Sequence, residues 1–562
     1  MMRHPLLVAV ILFVCSAAFH MYFIGLDAFH TDEGLVLVAS DDIARGRLLY
    51  RDCYVPVTPL VYLIQGVAFK VFGSSLLVSR LLMLATDAVT VALTFLIATS
   101  CTSTGVALIA ASIVALLPLW TWPHGQFFSY SPLSVMFCVL ALHFAWTVEE
   151  SVGRVGRAIA LGAALGIAVW VKPNLGLVTG FGVLLYWVSE WLRSLAGLGV
   201  TKTRSLSELV RDGFWTLVGL TSVSGPLVAY LLVTHTFGLM MQSLLALVDI
   251  YAGVPPDLFP ALLPLTSQSA AIRVNPLLMI PGALNSALMF NPGFAYLLQY
   301  TAWIDLLVRI IYYFPIALQV AGLLYFGWRL WRRTWAAADD AALLVFLVTG
   351  ALLLTVVPHP AIHYLIPAQI PGVVLACFLA ARSWRARSHW LRVLGRGLSA
   401  VAFGGFVLLS AFILVVYVTA PREPVFSDVG TFWLSPVQAQ PLNDLLSYTK
   451  AAVPAGGSVF AVPYYPLFYF ISGLDHPTRF IDLRPGSPGP AAEDEMIADL
   501  EKQSIDVVLY FVGVQFPGGE SFQDAYPRLH HYLMTHFALD RTIGTYFAPF
   551  VEIRRRNVPT TH

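Results

Sequence analysis

Two adjacent carboxylates stand out in a chain that carries few charges. Asp32 and Glu33 follow the first apolar segment of a 562-residue sequence that is 58% hydrophobic and 12% charged. A carboxylate at a water–lipid boundary can accept a proton or hold a cation, and it is costly to place there unless it is used. The pair therefore predicts chemistry at a membrane surface. The competing interpretation is that both residues, after Thr31, only begin a helix.

Three cations are candidates for binding an anion near this pair. Lys172 borders an apolar segment, and Arg80 lies within one. Arg273 lies in a long stretch rich in Pro and Gly. An ammonium or a guanidinium can bind phosphate by charge-assisted hydrogen bonds. Lys172 could instead extend along a helix end. Arg80 could instead pair with Asp87 or with the loop after the first apolar segment.

Polar residues at the ends of other apolar segments are candidates for contacts with a substrate in a groove. They are His124 and Tyr130, in the segment WPHGQFFSYSP, and His359 and His363, which precede the segment YLIPAQIPGVVL. His124 and Tyr130 could instead belong to the aromatic belt at the membrane interface. The spacing of the two histidines at 359 and 363 also suits a metal ion, but Pro360 disturbs a helix between them and no Cys or carboxylate is near in sequence. We therefore interpret them as polar lining, and the sequence leaves open whether a divalent metal ion is required.

Three further carboxylates, in the segment between the first and second apolar segments, are interpreted as structural. Each has an arginine close in sequence with which it could pair on a solvated face. These pairs are Asp41 with Arg45, Asp42 with Arg47, and Asp52 with Arg51.

The elements that must position these residues are mostly membrane spans. A hydrocarbon core about 30 Å thick needs roughly 20 apolar residues in a helix. Eleven segments fit, near 5–24, 76–98, 105–120, 132–148, 157–171, 174–194, 213–235, 305–328, 341–357, 364–381 and 395–418. The first is longer than the core of a signal peptide, so we expect it to be retained. Residues 33–48 and 58–72 show helical spacing and predict two interfacial helices in the first outer loop.

The distribution of basic residues predicts the orientation. With the N-terminus in the cytoplasm, fifteen Lys and Arg residues lie in inner segments and six in outer loops before the tail. The C-terminal tail is then extracytoplasmic, and a bacterial inner membrane fits this arrangement. The tail has ordinary charge density, predicted strands in VFAVPYYPLFYF, DVVLYFVG and TYFAPFVEIRRR, and a predicted helix in EDEMIADLEKQ. The fold class is thus an α-helical polytopic membrane domain (1–418) and a C-terminal α/β extracytoplasmic domain (419–562).

The long segments between the predicted spans are expected on the extracytoplasmic side, and this location limits the kinds of reaction the protein could catalyse. No Walker A pattern or dinucleotide-binding glycine pattern is present, and no nucleic-acid partner is expected. A transferase on the outer face needs a donor that is activated before it reaches that face. A sugar on a polyprenyl phosphate meets this need, because phosphate is a competent leaving group. Such an enzyme needs a base for the acceptor hydroxyl and cations for the departing phosphate.

An ordered set of motifs is similar to GT-C-fold membrane glycosyltransferases, the superfamily of protein O-mannosyltransferases and lipid A aminoarabinose transferases. The set comprises the DE pair at 32–33, GRLLYRDCYVPVTPL, FGSSLLVSRLL with Arg80, WVKPNLG with Lys172, HYLIPAQIPGVVL and VFAVPYYPLFYFISG. The resemblance covers nearly the whole chain. It departs at His363, where the family often has Arg.

The resemblance implies an inverting transfer from a polyprenyl-phosphate-linked sugar to a glycan, lipid or protein acceptor. Asp32 would be the base and Glu33 would orient the acceptor or a metal, or these roles would be exchanged. Lys172, with Arg80 and Arg273, would bind the donor phosphate. A lipid or solute transporter is the alternative, although transporters tend to have repeats and charges near mid-span, which this sequence does not show. A non-catalytic scaffold is a third possibility, in which Asp32 would be dispensable.

Overall fold

The structure is a computed structural model of the chain. It describes residues 5–28, 31–121, 125–148, 153–198, 204–252, 284, 291, 293–294, 296–297, 301–356, 361–484, 488–514, 520–545 and 550–557.

Ten of the eleven predicted spans fall on one helix each, and the span predicted at 364–381 is divided between a short helix, Ile362–Ala368, and the longer helix that follows it. Apart from the short one, these helices are α1 (Pro5–Met21), α4 (Leu76–Cys101), α5 (Thr104–Trp120), α6 (Tyr130–Thr147), α7 (Arg154–Val171), α8 (Pro173–Leu195), α9 (Leu206–Val233), α11 (Thr301–Trp331), α12 (Ala337–Leu354), α14 (Ile370–Trp384) and α15 (His389–Thr419). Within the described residues, eight helices are long and apolar enough to cross a membrane, namely all of these except α1, α5 and α14. The chain is therefore a polytopic membrane protein, and the number of crossings stays a prediction.

The ends of these helices follow from local sequence. Ser75 precedes α4, and its hydroxyl accepts a hydrogen bond from the backbone N–H of Val78 at 3.2 Å. At α9, Ser205 and Glu208 form a reciprocal capping box. Pro173 begins α8, where its missing N–H costs nothing. A helix break is thereby fixed at Lys172, between α7 and α8.

Four shorter helices lie between the long ones. They are α2 (Asp32–Ala44), α3 (Leu60–Phe72), α10 (Phe237–Ala252) and α13 (Ile362–Ala368). The two helices predicted in the first outer loop are thus confirmed as helices. α3 exposes Val67, Val71 and Phe72 on one side, as expected for a helix that meets lipid, whereas α2 is buried along most of its length. Most of the Pro- and Gly-rich region after α10 lies outside the described residues.

The tail combines a hairpin, a small sheet and helices. A two-stranded antiparallel hairpin, β1–β2, precedes a four-stranded sheet in the order β3-β4-β6-β5, in which only the β3–β4 pair is parallel. The elements are β1 (Glu423–Ser427), β2 (Gly430–Leu434), α16 (Pro436–Ala452), β3 (Phe460–Val462), α17 (Pro466–Ser472), α18 (Glu493–Lys502), β4 (Val507–Val512), α19 (Phe522–Ala525), α20 (Pro527–His536), β5 (Phe537–Gly544) and β6 (Phe550–Arg556).

The sequence predictions for the tail are confirmed except in one segment. α18, β4 and β6 lie where a helix and two strands were predicted. VFAVPYYPLFYF was predicted as one strand, and this is wrong for its second half, which forms α17. Pro466 stands at the first position of this helix, where its fixed backbone angle favours helix over strand.

The tail docks on the first outer loop through a shared apolar core. Leu35 of α2 and Tyr62 of α3 belong to the same buried cluster as Leu467 and Phe468 of α17. The predicted division at residues 418 and 419 falls at the end of α15. Whether the two halves are separate domains stays a prediction.

A glycine lets α2 and α17 approach closely. A Cβ atom at Gly34 would lie 2.1 Å from the backbone nitrogen of Leu467 and 2.6 Å from its Cα. Gly34→Ala must therefore push the two helices apart, and we expect a loss of about 1–3 kcal/mol, the usual range for overpacking.

The Gly34→Ala prediction is tested by thermal unfolding of the purified protein. Gly105→Ala is the control, because a Cβ there meets no atom within 4 Å. Equal unfolding temperatures for both variants and the parent would contradict the close packing of α2 against α17.

Candidate active site

Asp32 lies where the membrane part and the tail meet. It begins α2, with Thr31 at the N-cap position but without a side-chain capping bond. Its Oδ2 accepts a hydrogen bond from the Tyr130 hydroxyl at 3.3 Å, and its Oδ1 accepts one from Nη2 of Arg484 at 3.1 Å. The side chain keeps 14% of its accessible surface. Asp32 is thus held on both oxygens and remains reachable.

Lys172 lies on the membrane side of the same site. Its Nζ donates to the Ser131 hydroxyl at 2.7 Å and lies over the rings of Tyr364, at 4.0 Å, and Tyr130, at 5.2 Å. Burial lowers the pKa of Lys172 to about 7, and the nearby Asp32 carboxylate opposes this shift. The structure thus brings together Asp32, Tyr130 and Lys172, which the sequence had singled out separately.

Glu33 and Arg80 form a buried ion pair. The Nη2 and Nε atoms of Arg80 lie 2.7 and 2.8 Å from Oε1 of Glu33, and the side chains are 4% and 1% exposed. Arg80 also donates to the carbonyls of Leu26 at 3.0 Å and Asp27 at 2.8 Å. Of the two predicted alternatives, Arg80 pairs with the first outer loop and not with Asp87. Its proposed contact with donor phosphate stays a prediction.

A second network fixes the loop that leads to Asp32. The Asp27 carboxylate accepts a hydrogen bond from the Tyr417 hydroxyl at 2.6 Å and lies 2.9 Å from Nη1 of Arg422. Asp27 also joins the tail through its backbone N–H, which donates to the carbonyl of Trp433 at 2.8 Å. The loop before α2 is therefore tied to α4, α15 and the β1–β2 hairpin.

Two overlapping cavities lie between helices of the membrane part. One, with an empty volume of about 360 Å³, is lined by His20, Arg80 and Gln126; the other, of about 420 Å³, reaches Pro132 and Ile366. Asp87 lines both and has no hydrogen bond or ion pair within the described part of the chain. Arg80, which pairs with Glu33, lines the first cavity, and Pro132, which follows Ser131, lines the second.

One further cluster has the composition of a metal site. The ligand atoms of Asp42, Asp475 and His476 lie within 4.8 Å of one another. However, Nη1 of Arg47 lies 3.0 Å from Asp42, 2.8 Å from Asp475 and 3.2 Å from His476. Burial lowers the pKa of His476, but the hydrogen bond to Asp42 outweighs it and the net shift is upward. The guanidinium of Arg47 and the readily protonated ring of His476 thus already supply positive charge to the two carboxylates, so the cluster fits a metal ion poorly. We interpret it as a link between α2 and the tail.

The remaining predicted residues divide into two groups. His363 is 8% exposed on the first turn of α13, with its ring centroid 4.2 Å from that of Tyr364, which covers Lys172. Arg273, His124 and His359 lie outside the described residues.

The three structural ion pairs predicted in the first outer segment are confirmed. The distances are 2.6 Å for Arg45 and Asp41, 3.0 Å for Arg47 and Asp42, and 2.7 Å for Arg51 and Asp52.

Sequence reasoning missed three residues of the site. Ser131 and Tyr364 adjoin Tyr130 and His363, so those motifs were the available signal. Arg484 lies 452 positions after Asp32, and its segment IDLRPG carries no pattern that would have indicated it.

Comparison with known proteins gives matches in structure only. No protein-family model matches the chain, and no curated protein matches it in sequence. The apo oligosaccharyltransferase of Archaeoglobus fulgidus matches with a TM-score of 0.54 and 12% identity, covering 90% of this chain and 70% of that one. Its complex with an inhibitory peptide and a dolichol-phosphate gives 0.52 and 11%, covering 98% and 75%. Apo ArnT from Cupriavidus metallidurans gives 0.51 and 13%, covering 97% of both chains.

At these identities the matches establish the fold alone. Both proteins are GT-C-fold glycosyltransferases. The GT-C fold inferred from the motifs, with its helical membrane part and small C-terminal sheet, is therefore confirmed for this chain.

Proposed function

We propose that this GT-C-fold protein transfers a sugar from a polyprenyl-phosphate donor to an acceptor hydroxyl on the extracytoplasmic face. One observation carries the proposal: the reachable Asp32 carboxylate lies between two cations, Lys172 and Arg484, where the helical bundle meets the tail. A base beside cations is what such a transfer requires. A structural neighbour was solved with a dolichol-phosphate, which is a lipid of the proposed class.

The reaction assigns each group a task. Asp32 takes the proton of the acceptor hydroxyl as that oxygen forms a bond to the anomeric carbon. The bond from that carbon to the phosphate oxygen breaks, and the leaving polyprenyl phosphate keeps the electron pair. Lys172 stabilises the charge that grows on the leaving oxygen. A single displacement inverts the anomeric centre. The sugar, the acceptor (glycan, lipid or protein) and the polyprenyl type are open parts of the proposal.

The function is tested with purified protein in lipid nanodiscs, a panel of polyprenyl-phosphate sugars and a cell-envelope extract as the source of acceptors. We expect one donor to be consumed with release of polyprenyl phosphate. If no donor binds or is consumed, while a solute or lipid crosses proteoliposomes containing the protein, the transporter interpretation replaces this one.

Lys172→Ala is expected to weaken donor binding and to slow transfer. A charge-assisted hydrogen bond contributes about 1.5–3 kcal/mol, which corresponds to roughly 10- to 100-fold in donor affinity. The measurement is a titration of donor against transfer rate. Parent values for both affinity and maximal rate would show that Lys172 is only a helix-end anchor.

The lowered pKa of Lys172 adds a pH dependence to this prediction. Near pH 7 the free ammonium begins to lose its proton, whereas a bound phosphodiester favours the charged form. Donor affinity should therefore fall as the pH rises above about 7, by up to about tenfold per unit. Lys172→Arg is the matched control, because a guanidinium stays charged and should remove this dependence.

A further inference from the structure

We propose that Arg484 is a positioning residue for Asp32, so that the C-terminal domain completes the active site. This inference rests on the proposed function and extends it to a residue of the tail. The contact is direct: Nη2 of Arg484 donates to Oδ1 of Asp32 at 3.1 Å. The segment between α17 and α18, which carries Arg484, therefore reaches into the site through a charged group.

The tail holds Arg484 in a defined position. Its Nη2 lies 2.7 Å from Oδ2 of Asp482, and its Nε donates to Oδ1 of Asp482 at 3.1 Å. The Tyr526 hydroxyl donates to the Arg484 carbonyl at 2.6 Å, and Asp482 forms a β-bridge with Tyr464. A guanidinium fixed at both its carboxylate partner and its backbone can direct a second carboxylate at little entropic cost.

The charges around Asp32 explain why a cation is needed there. The tail presents Arg484, Asp482 and Tyr464. The membrane part presents Tyr130 and Lys172, with Tyr62 of α3 close by and the Glu33–Arg80 pair adjoining. Burial lowers the pKa of Arg484, but the two carboxylates outweigh it and the net shift is well upward, so this group stays charged. Without it, the Asp482 carboxylate would lie near Asp32 with no guanidinium between the two.

Arg484 thus has two effects on the proposed base. It fixes the side-chain rotamer, because Oδ1 is held by Arg484 while Oδ2 is held by Tyr130. It also favours the ionised carboxylate, because a nearby cation stabilises the charged form of a carboxyl group. A base must be ionised to accept a proton, so activity is present above the titration of Asp32 and is lost as the pH falls through it.

Arg484→Gln is therefore expected to move the acid limb of the pH–rate profile upward by about one pH unit or more. Transfer at saturating donor and pH 7 should fall about tenfold or more, while donor affinity, which depends on Lys172, changes little. Arg484→Lys keeps a charge but cannot reach two carboxylates in the same way, so it should show the same changes in smaller measure. The lysine variant decides the question if the glutamine variant does not fold.

Arg479→Gln is the control for a docking role. Arg479 also joins the tail to the first outer loop, through the carbonyl of Tyr50 at 3.0 Å, and it pairs with Glu495 at 2.6 Å, away from Asp32. We expect this variant to keep the parent pH profile.

Three outcomes would overturn the inference or the function beneath it. A parent rate and profile in folded Arg484 variants, with Asp32→Asn inactive, would reduce Arg484 to a docking contact. A loss of donor affinity at an unchanged profile would assign it to phosphate binding instead. Full activity of Asp32→Asn would refute the proposed function itself.

Discussion

Asp32→Asn is expected to lower sugar transfer by at least about 10²-fold, the usual scale for losing a general base. An amide cannot take the acceptor proton, yet its oxygen can still accept a hydrogen bond from Arg484 while its NH2 group donates to the hydroxyl oxygen of Tyr130. The variant should therefore fold, reach the membrane and bind the donor with parent affinity. The measurements are transfer by the purified protein and complementation of a deletion strain.

Asp52→Asn is the matched control for this variant. Asp52 lies in the same outer segment, but it pairs with Arg51, whose side chain is 58% exposed. We expect parent activity, because exposed pairs of this kind contribute little. If Asp32→Asn also complements fully, the carboxylate is dispensable, as the scaffold interpretation requires.

Arg80→Met is expected to have the largest effect on stability. It removes the guanidinium that pairs with the buried Glu33 carboxylate, and breaking such a pair typically costs about 3–5 kcal/mol. It also removes the donor to the carbonyls of Leu26 and Asp27, in the loop that precedes Asp32. The expected result is a lower yield of folded protein and a lower unfolding temperature in detergent.

A second variant separates this structural role from phosphate binding. Glu33→Gln keeps a hydrogen-bond acceptor for Arg80 and leaves the cation in place, so it should destabilise less than Arg80→Met. If Arg80 binds the donor, its charge should still support parent donor affinity in Glu33→Gln. An Arg80→Met protein of parent stability but reduced donor affinity would reverse the assignment.

The membrane part was predictable because its signal is local. Apolar runs and caps such as Ser205 with Glu208 state where helices lie without reference to the rest of the chain. The ion pairs of Asp41, Asp42 and Asp52 were predictable for the same reason, since their partners are at most five positions away.

The tail and half of the site were less predictable because their contacts are distant in sequence. The second half of VFAVPYYPLFYF is apolar enough for a strand, but Pro466 turns it into the helix that covers Gly34. The helix α16 was not predicted, although its start carries a local signal, the capping box of Ser435 and Gln438. The approach of Arg484 to Asp32 depends on the packing of α17 against α2, which no local pattern encodes.

The 452-residue separation between Asp32 and Arg484 has a consequence for biogenesis. A chain is synthesised from its N-terminus, so the helix that bears Asp32 is inserted long before the segment that covers it exists. The face of α2 that packs against α17 is then uncovered until the tail has been synthesised and has docked. A chain that ends before Arg484 should accordingly transfer sugar more slowly than the complete chain, because Asp32 would lack the cation that positions it.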